Sequence, residues 1–455
     1  MSMNRVLHQM PARAGRVAVG RGEASLDAAS DETRLPRQEP EDAGQGLLAQ
    51  VLARDNMQRA WKRVKANKGA AGVDGLDIAQ TGQHLKHAWP EIRRRLIDGT
   101  YRPQPVRRVG IPKPDGSERE LGIPTVTDRL IQQALLQVLQ PLIDPTFSEH
   151  SYGFRPGRRA RDAVLAAQQY VQEGRRIVVD VDLSKFFDRV NHDILIDRLR
   201  KRVDDPGVIR LVRAYLNAGI MDGGVVLERA EGTPQGGPMS PLLANVLLDE
   251  VDRELERRGH RFARYADDCN VYVSSRKAGE RVMALLRRQY DKLRLQINES
   301  KSAVASAFGR KFLGYALWRS PKGEVKRVVS SKALETFRQR IRQITSRSRG
   351  RSMTQVVDEL RTYVLGWKAY FQLAQTRTVW QKLDEWMRHR MRALQLKQWR
   401  RGTTIYRELI ALGSYPDAAR AVAANSRCWW RNSGQAMNRV LTIAYFDRLG
   451  MPRLT

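Results

Sequence analysis

The sequence has few cysteines, fewer acidic than basic residues, and no long apolar run. Only Cys269 and Cys428 occur in 455 residues, so neither a disulfide framework nor a cysteine-rich zinc site is expected. No apolar stretch approaches the roughly 20 residues needed to cross a bilayer, and no signal peptide opens the chain. We therefore expect a soluble cytoplasmic protein with no membrane partner.

The excess of positive charge indicates a polyanionic partner. Lys and Arg number 80 and Asp and Glu 49, which leaves a net charge of +31. Nucleic acid is the simplest partner for such a chain. A basic tail of the ribosomal or histone type is the alternative, but 42% hydrophobic residues and nine tryptophans favour folded cores. The length predicts about three domains.

Carboxylates lie at the ends of apolar stretches that we predict to be strands. In Val178–Asp188, Asp180 and Asp182 share one face because strand side chains alternate with period two. Arg261–Val273 is predicted to form two strands with the Asp267–Asp268 pair at their tight connection. A hairpin tip would aim both of these carboxylates at one point, and either Asp180 or Asp182 could meet them there.

Clustered carboxylates of this kind suit the two-metal chemistry of nucleotide transfer. One metal ion lowers the pKa of an attacking 3′ hydroxyl, and a second, about 3.5–4 Å away, neutralises the triphosphate and the leaving pyrophosphate. Mg²⁺ prefers hard oxygen ligands and needs few from protein, because phosphates and water complete its octahedron. Taken alone, however, an Asp-Asp pair at a hairpin is usually a polar turn.

Six short motifs in a fixed order favour a metal site over a simple polar turn. They are Ile111–Arg119 (IPKPDGSER), Asp182–Asp188 (DLSKFFD), Thr233–Pro241 (TPQGGPMSP), Tyr265–Asp268 (YADD), Asn298–Lys301 (NESK) and Phe312–Tyr315 (FLGY). This series resembles the successive blocks of reverse transcriptases and is most similar to those encoded by bacterial group II introns. The likeness extends over roughly residues 50–455.

The resemblance implies an α+β fold with a right-hand polymerase arrangement. Fingers and palm would occupy residues 47–325, and an all-α thumb, which is also the maturase domain X, residues 326–400. A small, basic helical domain similar to the DNA-binding domain D would occupy residues 401–455. Residues 1–46 have no sustained periodicity and almost no aromatics, so we predict that they are mostly disordered.

Hydrophobic periodicity predicts the elements inside these domains. One helix is expected from Leu47 to Asn67, followed by a loop over residues 68–75. Residues 119–143 pass from a strand into an amphipathic helix, and short strands alternate with helices over residues 177–316. Beyond Ser331 the apolar residues recur at intervals of three and four, which predicts helices only.

The resemblance also assigns the catalytic and metal-binding positions. Asp182, Asp267 and Asp268 would be catalytic. Together with Leu183 they would hold two Mg²⁺ ions.

Five further positions are implied to bind the incoming nucleotide. Lys113 and Arg119 would cradle its triphosphate, and Phe187 would lie under the sugar and exclude a 2′ hydroxyl. Gln235 and Lys301 would lie near the nucleotide. Four of them have an ordinary alternative: Lys113 and Arg119 could be hairpin surface, Lys301 could be solvated, and Phe187 could be a core aromatic, although its neighbouring phenylalanine suits that role better.

Six arginines in the predicted thumb are candidates for RNA contacts. They are Arg338, Arg340, Arg342, Arg347, Arg349 and Arg351. No acidic residue interrupts them, whereas a merely solvated helix would normally mix both signs. Such a face could neutralise several phosphates. The aromatics of Gly366–Phe371, Trp386 and Trp399 are predicted to pack helices together rather than to stack on bases.

These features predict an RNA-directed DNA polymerase that binds its group II intron RNA, assists its splicing as a maturase, and copies it into cDNA during retrohoming. The partners would be the intron RNA, an RNA template with a DNA primer, deoxynucleoside triphosphates, and target DNA within the nucleoid. Many intron proteins end in an HNH endonuclease with paired cysteines, which this sequence lacks. We therefore expect a class C-like protein that does not cut the second target strand itself.

Two alternatives share much of this pattern. A splicing-only RNA-binding maturase would usually have lost a catalytic Asp, and none is missing here. A domesticated group II-like, retron or CRISPR-linked reverse transcriptase that acts in repair or defence would keep the same site, and the sequence distinguishes it poorly. Ala266 and the complete thumb favour the mobile-intron type. An RNA-dependent RNA polymerase usually carries Gly-Asp-Asp.

Overall fold

The computed structural model describes residues 46–112, 118–222, 225–227, 231–233 and 236–455. The chain divides into two compact units between Ala305 and Ser306. No helix in the described part of the chain combines the length and apolarity that a bilayer span requires.

The first unit contains helices on and around two sheets. Its helices are α1 (Leu47–Leu52), α2 (Arg54–Ala66), α3 (Ile78–Ile97), α4 (Val126–Ile143), α5 (Ala160–Gln172), α6 (His192–Arg200), α7 (Pro206–Asn217), α8 (Ser240–Arg257) and α9 (Arg276–Lys292). Its strands are β1 (Val106–Pro112), β2 (Glu118–Ile123), β3 (Ile177–Val181), β4 (Ile220–Asp222), β5 (Val225–Leu227), β6 (Arg261–Tyr265), β7 (Asp268–Val273) and β8 (Ala303–Ser306).

The two sheets have different strand orders. One has the order β2-β1-β4-β5, in which β1 is antiparallel to β2 and parallel to β4. The other has the order β6-β7-β3-β8, in which β7 is antiparallel to both β6 and β3. The central position of β3 and β7 in this second sheet brings the ends of two carboxylate-bearing strands side by side.

Apolar composition explains which elements lie at the centre of the first unit. β3 is rich in β-branched residues, which favour strands, and Val178, Val179 and Val181 are buried. Ile131 and Leu135 of α4 are fully buried as well. Burying each such side chain contributes about 1.5–3 kcal/mol. The sheet that contains β3 and β7 therefore packs on a well-buried apolar core.

Near the start of the first unit, one prediction needs correction and another is confirmed. The single helix expected from Leu47 to Asn67 is two helices, because Ala53 takes an extended conformation (φ −59°, ψ 139°) and ends the first. The loop expected over residues 68–75 is present between α2 and α3. The strand β2 followed by the helix α4 also agrees with the expectation for residues 119–143.

The second unit begins with a three-stranded sheet and continues in helices. Its strands are β9 (Lys311–Phe312), β10 (Tyr315–Arg319) and β11 (Val325–Val329). Its helices are α10 (Ser331–Ile344), α11 (Met353–Tyr370), α12 (Arg377–Trp399), α13 (Gly402–Ala411), α14 (Pro416–Ala424), α15 (Trp429–Asn432), α16 (Gln435–Asn438) and α17 (Ile443–Arg448). The all-helical pattern predicted beyond Ser331 is confirmed.

Residues 306–325 lie in the second compact unit, together with the helices that follow them. The domain limits at residues 325 and 400 remain predictions. We predicted that residues 1–46 are mostly disordered. Apart from residue 46, this segment lies outside the described part of the chain.

Candidate active site

The Tyr265–Asp268 segment forms the tip of the β6–β7 hairpin. Tyr265 pairs with Asp268 across the two strands, so Ala266 and Asp267 are the two residues of the turn. Ala266 has φ of +58°, in the left-handed region that such a turn requires. The prediction that the Asp pair lies at a tight hairpin connection is confirmed.

Three carboxylates meet at this tip. Val181, the last residue of β3, pairs with Cys269 of β7, which places Asp182 beside the turn. One carboxylate oxygen from each of Asp182, Asp267 and Asp268 lies within 4.8 Å of the others. Asp267 is buried, and the other two are partly exposed. Like charges at this spacing repel one another, so the arrangement favours a bound cation.

Asp180, the other candidate on β3, belongs to a different contact. With the Asn270 amide oriented to satisfy both groups, its nitrogen donates to Asp180 Oδ1 at 2.9 Å. Asp180 is not part of the carboxylate cluster found among the described residues. Position along the strand therefore decides between the two: Asp182 lies beyond the last paired residue, and Asp180 lies within the sheet.

The backbone of Asp182 is held from the segment that contains the Asn298–Lys301 motif. The Asn298 N–H donates to the Asp182 carbonyl at 2.8 Å, and the Asp182 N–H donates to Ser302 Oγ at 3.0 Å. Lys301 Nζ lies 3.7 Å from Asp182 Oδ2. This segment therefore fixes the backbone of Asp182 and brings a cation to its carboxylate.

A buried arginine supports the hairpin turn from below. Arg264 Nη1 donates to the Ala266 carbonyl and to Asn245 Oδ1, both at 2.9 Å. Arg264 also donates to Ser151 Oγ at 2.7 Å and to both carboxylate oxygens of Asp252 at 2.6–2.9 Å. The Arg264 side chain is 1% exposed and that of Asp252 0%. A planar guanidinium with five donors can satisfy all these acceptors at once.

Electrostatics keep this arginine charged. Burial alone would lower the pKa of Arg264, but the Asp252 charge and its hydrogen bonds outweigh burial and raise that pKa. The turn carbonyl of Ala266 is therefore held by a permanently charged donor.

A glycine closes the other side of the turn. Ser151 forms a parallel bridge with Arg264, and the Tyr152 N–H donates to the Arg264 carbonyl at 2.8 Å. A Cβ on Gly153, the next residue, would lie 2.2 Å from Ala266 N. The Gly153 carbonyl accepts from Asn245 Nδ2 at 2.9 Å. The turn is thus packed closely against the 151–153 segment.

The sequence did not predict that Arg264 would hold the hairpin turn. Arg264 occupies a buried position between Ala263 and Tyr265, and a charged residue within an otherwise buried strand was the available signal. Nothing in the sequence pairs it with Asp252 or with Ser151, because those contacts depend on the tertiary fold.

Comparison with known proteins agrees with this geometry. Residues 111–317 match the protein family described as "Reverse transcriptase (RNA-dependent DNA polymerase)", and this stretch includes all three clustered carboxylates. Residues 334–410 match the family described as "Group II intron, maturase-specific domain". The chain therefore carries a reverse transcriptase domain followed by a group II intron maturase-specific domain.

Individual relatives resemble part of the chain. "Protein YkfC" of Escherichia coli (strain K12) is 37% identical over 47% of this chain and 58% of its own length. "Group II intron-encoded protein LtrA" of Lactococcus lactis subsp. cremoris is 36% identical over 46% of this chain and 34% of its own length. This chain thus matches little more than half of the first relative and a third of the second. A solved chain from the "Partial Cas6-RT-Cas1--Cas2 complex" is 25% identical, covers 55% of this chain and 43% of that one, and has a TM-score of 0.36.

Within the reverse transcriptase domain, the predicted nucleotide-binding residues are described unequally. Lys113 and Gln235 lie outside the described residues. The backbone of Arg119 pairs with Ile111 in the β1–β2 ladder. Leu183 forms a β-bridge with Ile297, and its apolar side chain is buried, so only its backbone could serve a metal. These assignments remain predictions.

Phe187 packs against the ring of its neighbour, Phe186. Phe187 is 8% exposed and Phe186 2% exposed, and their ring centroids are 5.0 Å apart. The Thr233 N–H donates to the Phe187 carbonyl at 2.7 Å. This bond joins the segment that follows Asp182 to the start of the Thr233–Pro241 motif. Phe186 is the more deeply buried ring, as the sequence suggested.

The six arginines expected to contact RNA are exposed but do not have the same surroundings. Arg340 and Arg351 both form ion pairs with Glu359 of α11. Arg342 and Arg347 instead lie over tryptophan rings. The absence of acidic residues nearby in sequence therefore did not mean absence in space.

The aromatics of the maturase-specific domain are mainly core, as predicted. Trp367 is 1% exposed and Phe371 0%. The Trp367 ring lies 4.3 Å from that of Phe337 and 4.7 Å from that of Phe371 between ring centroids. Trp386 is half-buried, and unlike these residues it has two arginine side chains over its ring.

Proposed function

We propose that this protein is an RNA-directed DNA polymerase that binds a group II intron RNA, assists its splicing, and copies it into cDNA from a DNA primer during retrohoming. The observation that carries the polymerase part is the convergence of Asp182, Asp267 and Asp268 within 4.8 Å of one another. The maturase part rests on the family match of residues 334–410.

The carboxylate cluster fits a pair of Mg²⁺ ions. It offers only hard oxygen ligands, and its three side chains leave room in each octahedron for phosphates and water. When bound, two such ions would lower the pKa of the primer 3′ hydroxyl and neutralise the triphosphate of the incoming nucleotide.

The chain's own residues position these ligands. The turn residue Asp267 and the first β7 residue Asp268 are held by the Arg264 contact to the turn, and Asp182 by Asn298 and Ser302. Lys301 places a positive charge beside Asp182, where triphosphate oxygens would arrive in a metal-loaded complex. Rigid placement of this kind lowers the entropic barrier to reaction.

The two alternatives differ in what they require of this site. A splicing-only maturase does not need three converging carboxylates. A domesticated reverse transcriptase would need them, and would differ in its RNA rather than in its active site. We favour the mobile-intron role because a maturase-specific domain follows the polymerase domain in the same chain.

Primer extension tests the polymerase proposal. Wild-type protein should extend an oligo(dT) primer on poly(rA) with Mg²⁺. Asp267→Ala should reduce extension by at least about a hundredfold, because a metal site contributes several kcal/mol to the transition state. RNA affinity should stay nearly unchanged in this variant.

Asp291→Ala is the matched control, because Asp291 is an exposed carboxylate on α9 of the same unit. It should extend like wild type. Full activity of Asp267→Ala would reject the assigned site, and an inactive wild-type protein that still promotes intron splicing would favour the splicing-only alternative.

A further inference from the structure

Two arginines share one tryptophan in the second unit. The guanidinium carbons of Arg342 and Arg390 lie 5.8 and 5.5 Å from the centroid of the Trp386 ring. Arg390 is fixed there, because its Nε donates to Thr345 Oγ1 at 2.6 Å and its Nη2 to the Arg342 carbonyl at 3.4 Å. The α10 and α12 helices thus present two cations on one aromatic surface.

Two further cations share a second tryptophan. The Arg347 guanidinium carbon lies 5.4 Å and Lys397 Nζ 4.0 Å from the centroid of the Trp429 ring. Arg347 follows α10, Lys397 lies near the end of α12, and Trp429 begins α15. Three segments distant in sequence therefore converge here. We call Arg342, Arg347, Arg390 and Lys397 the cationic cradle.

The cationic cradle has no acidic counterpart among the described residues. None of its four members forms an ion pair there, whereas nearby Arg340 and Arg351 share Glu359. Burial lowers the pKa of Arg390, and the charges of Arg347 and Arg342 lower it further. The members of the two tryptophan groups therefore repel one another. Such a concentration of like charge is costly unless an anion relieves it.

We propose that the cationic cradle binds backbone phosphates of a nucleic acid. This inference rests on the proposed function, since the nucleic acid would be the intron RNA or the primer-template duplex. Each ring already carries two cations, so the tryptophans orient those cations rather than stack on bases. Recognition of this kind is independent of sequence and does not read the 2′ hydroxyl.

Salt-dependent binding of defined duplexes tests the cationic cradle. The probes are a fluorescein-labelled RNA duplex of about 20 base pairs and a DNA duplex of the same sequence, titrated by anisotropy from about 50 to 300 mM KCl. The variant R347Q/K397Q removes two cradle cations. If each neutralises one phosphate, the slope of log affinity against log salt should become shallower by about 1.8. The change should be equal for RNA and DNA.

R257Q/R276Q is the matched control, because it removes the same charge from exposed side chains that are already paired with Glu254 and Glu280. Its slope should change by less than half as much. R342Q removes one cation from the Trp386 ring and keeps the test decisive if R347Q/K397Q does not fold. Equal changes in the cradle variant and the control, or a change with RNA alone, would overturn the proposal. Primer extension by wild-type protein is measured separately, so failure of the polymerase proposal is distinguishable.

Discussion

Gly153 lies directly against the backbone of Ala266, the first residue of the catalytic turn. A Cβ at Gly153 would lie 2.2 Å from Ala266 N and 2.9 Å from the carbonyl carbon of Tyr265. Both neighbours are backbone atoms within a hairpin, so neither can move without moving Asp267 and Asp268. This packing links a residue without chemical function to the position of two carboxylates of the proposed metal site.

Replacing Gly153 by alanine should impair catalysis through this contact. Misplacement of reacting groups by about 1 Å can cost roughly a hundredfold in rate, so we expect kcat for single-nucleotide extension to fall by about 10- to 100-fold. The Mg²⁺ concentration needed for half-maximal rate should rise. Gly82→Ala on α3 is the control, since its new Cβ would meet only the edge of the Trp61 side chain, at 3.1 Å. Wild-type kinetics for Gly153→Ala would contradict this account of the turn.

Replacing Asp252 by asparagine should destabilise the first unit. Removing one partner of a buried ion pair costs about 3–5 kcal/mol, because Arg264 would keep a buried charge without compensation. Urea denaturation should show this loss as a lower midpoint. Glu280→Gln, which removes an exposed partner of Arg276, should cost at most about 1 kcal/mol. Similar midpoints for the two variants would show that Asp252 is not required to hold Arg264.

Lys301 should matter for catalysis more than for RNA binding. Its Nζ lies 3.7 Å from Asp182 Oδ2. Its positive charge is therefore next to the place where we expect the triphosphate to bind. We expect Lys301→Ala to lower kcat/KM for deoxynucleotides by about tenfold or more, which corresponds to about 1.4 kcal/mol. Lys301→Arg should recover part of that loss, and Lys292→Ala, on the exposed face of α9, should have little effect. Unchanged nucleotide kinetics would leave Lys301 as a solvated lysine.

Phe187 should discriminate between sugars if it lies under the incoming nucleotide. Phe187→Val would leave room for a 2′ hydroxyl, so the ribonucleotide to deoxynucleotide ratio of kcat/KM should rise by about tenfold. Phe186→Val serves as the comparison, because its ring is more deeply buried. That change should lower the thermal midpoint and leave the ratio unaltered. A flat ratio for Phe187→Val would mean that this ring also serves only the core.

The sequence alone was sufficient for the catalytic turn. The composition of Arg261–Val273 predicts two strands with Asp267–Asp268 at their connection, and that prediction required no knowledge of the rest of the fold. The helices beyond Ser331 were also predictable, since their apolar residues recur at helical spacing. Local composition and periodicity determined these elements.

Only the tertiary structure decided which residues, distant in sequence, contact these elements. Strand periodicity alone did not separate Asp180 from Asp182, whereas the end of the β3–β7 ladder does. Arg340 and Arg342 were members of one basic run, yet Glu359 pairs with the first and Trp386 packs against the second. Periodicity specifies which face a side chain occupies, whereas its partner depends on which other element packs against that face.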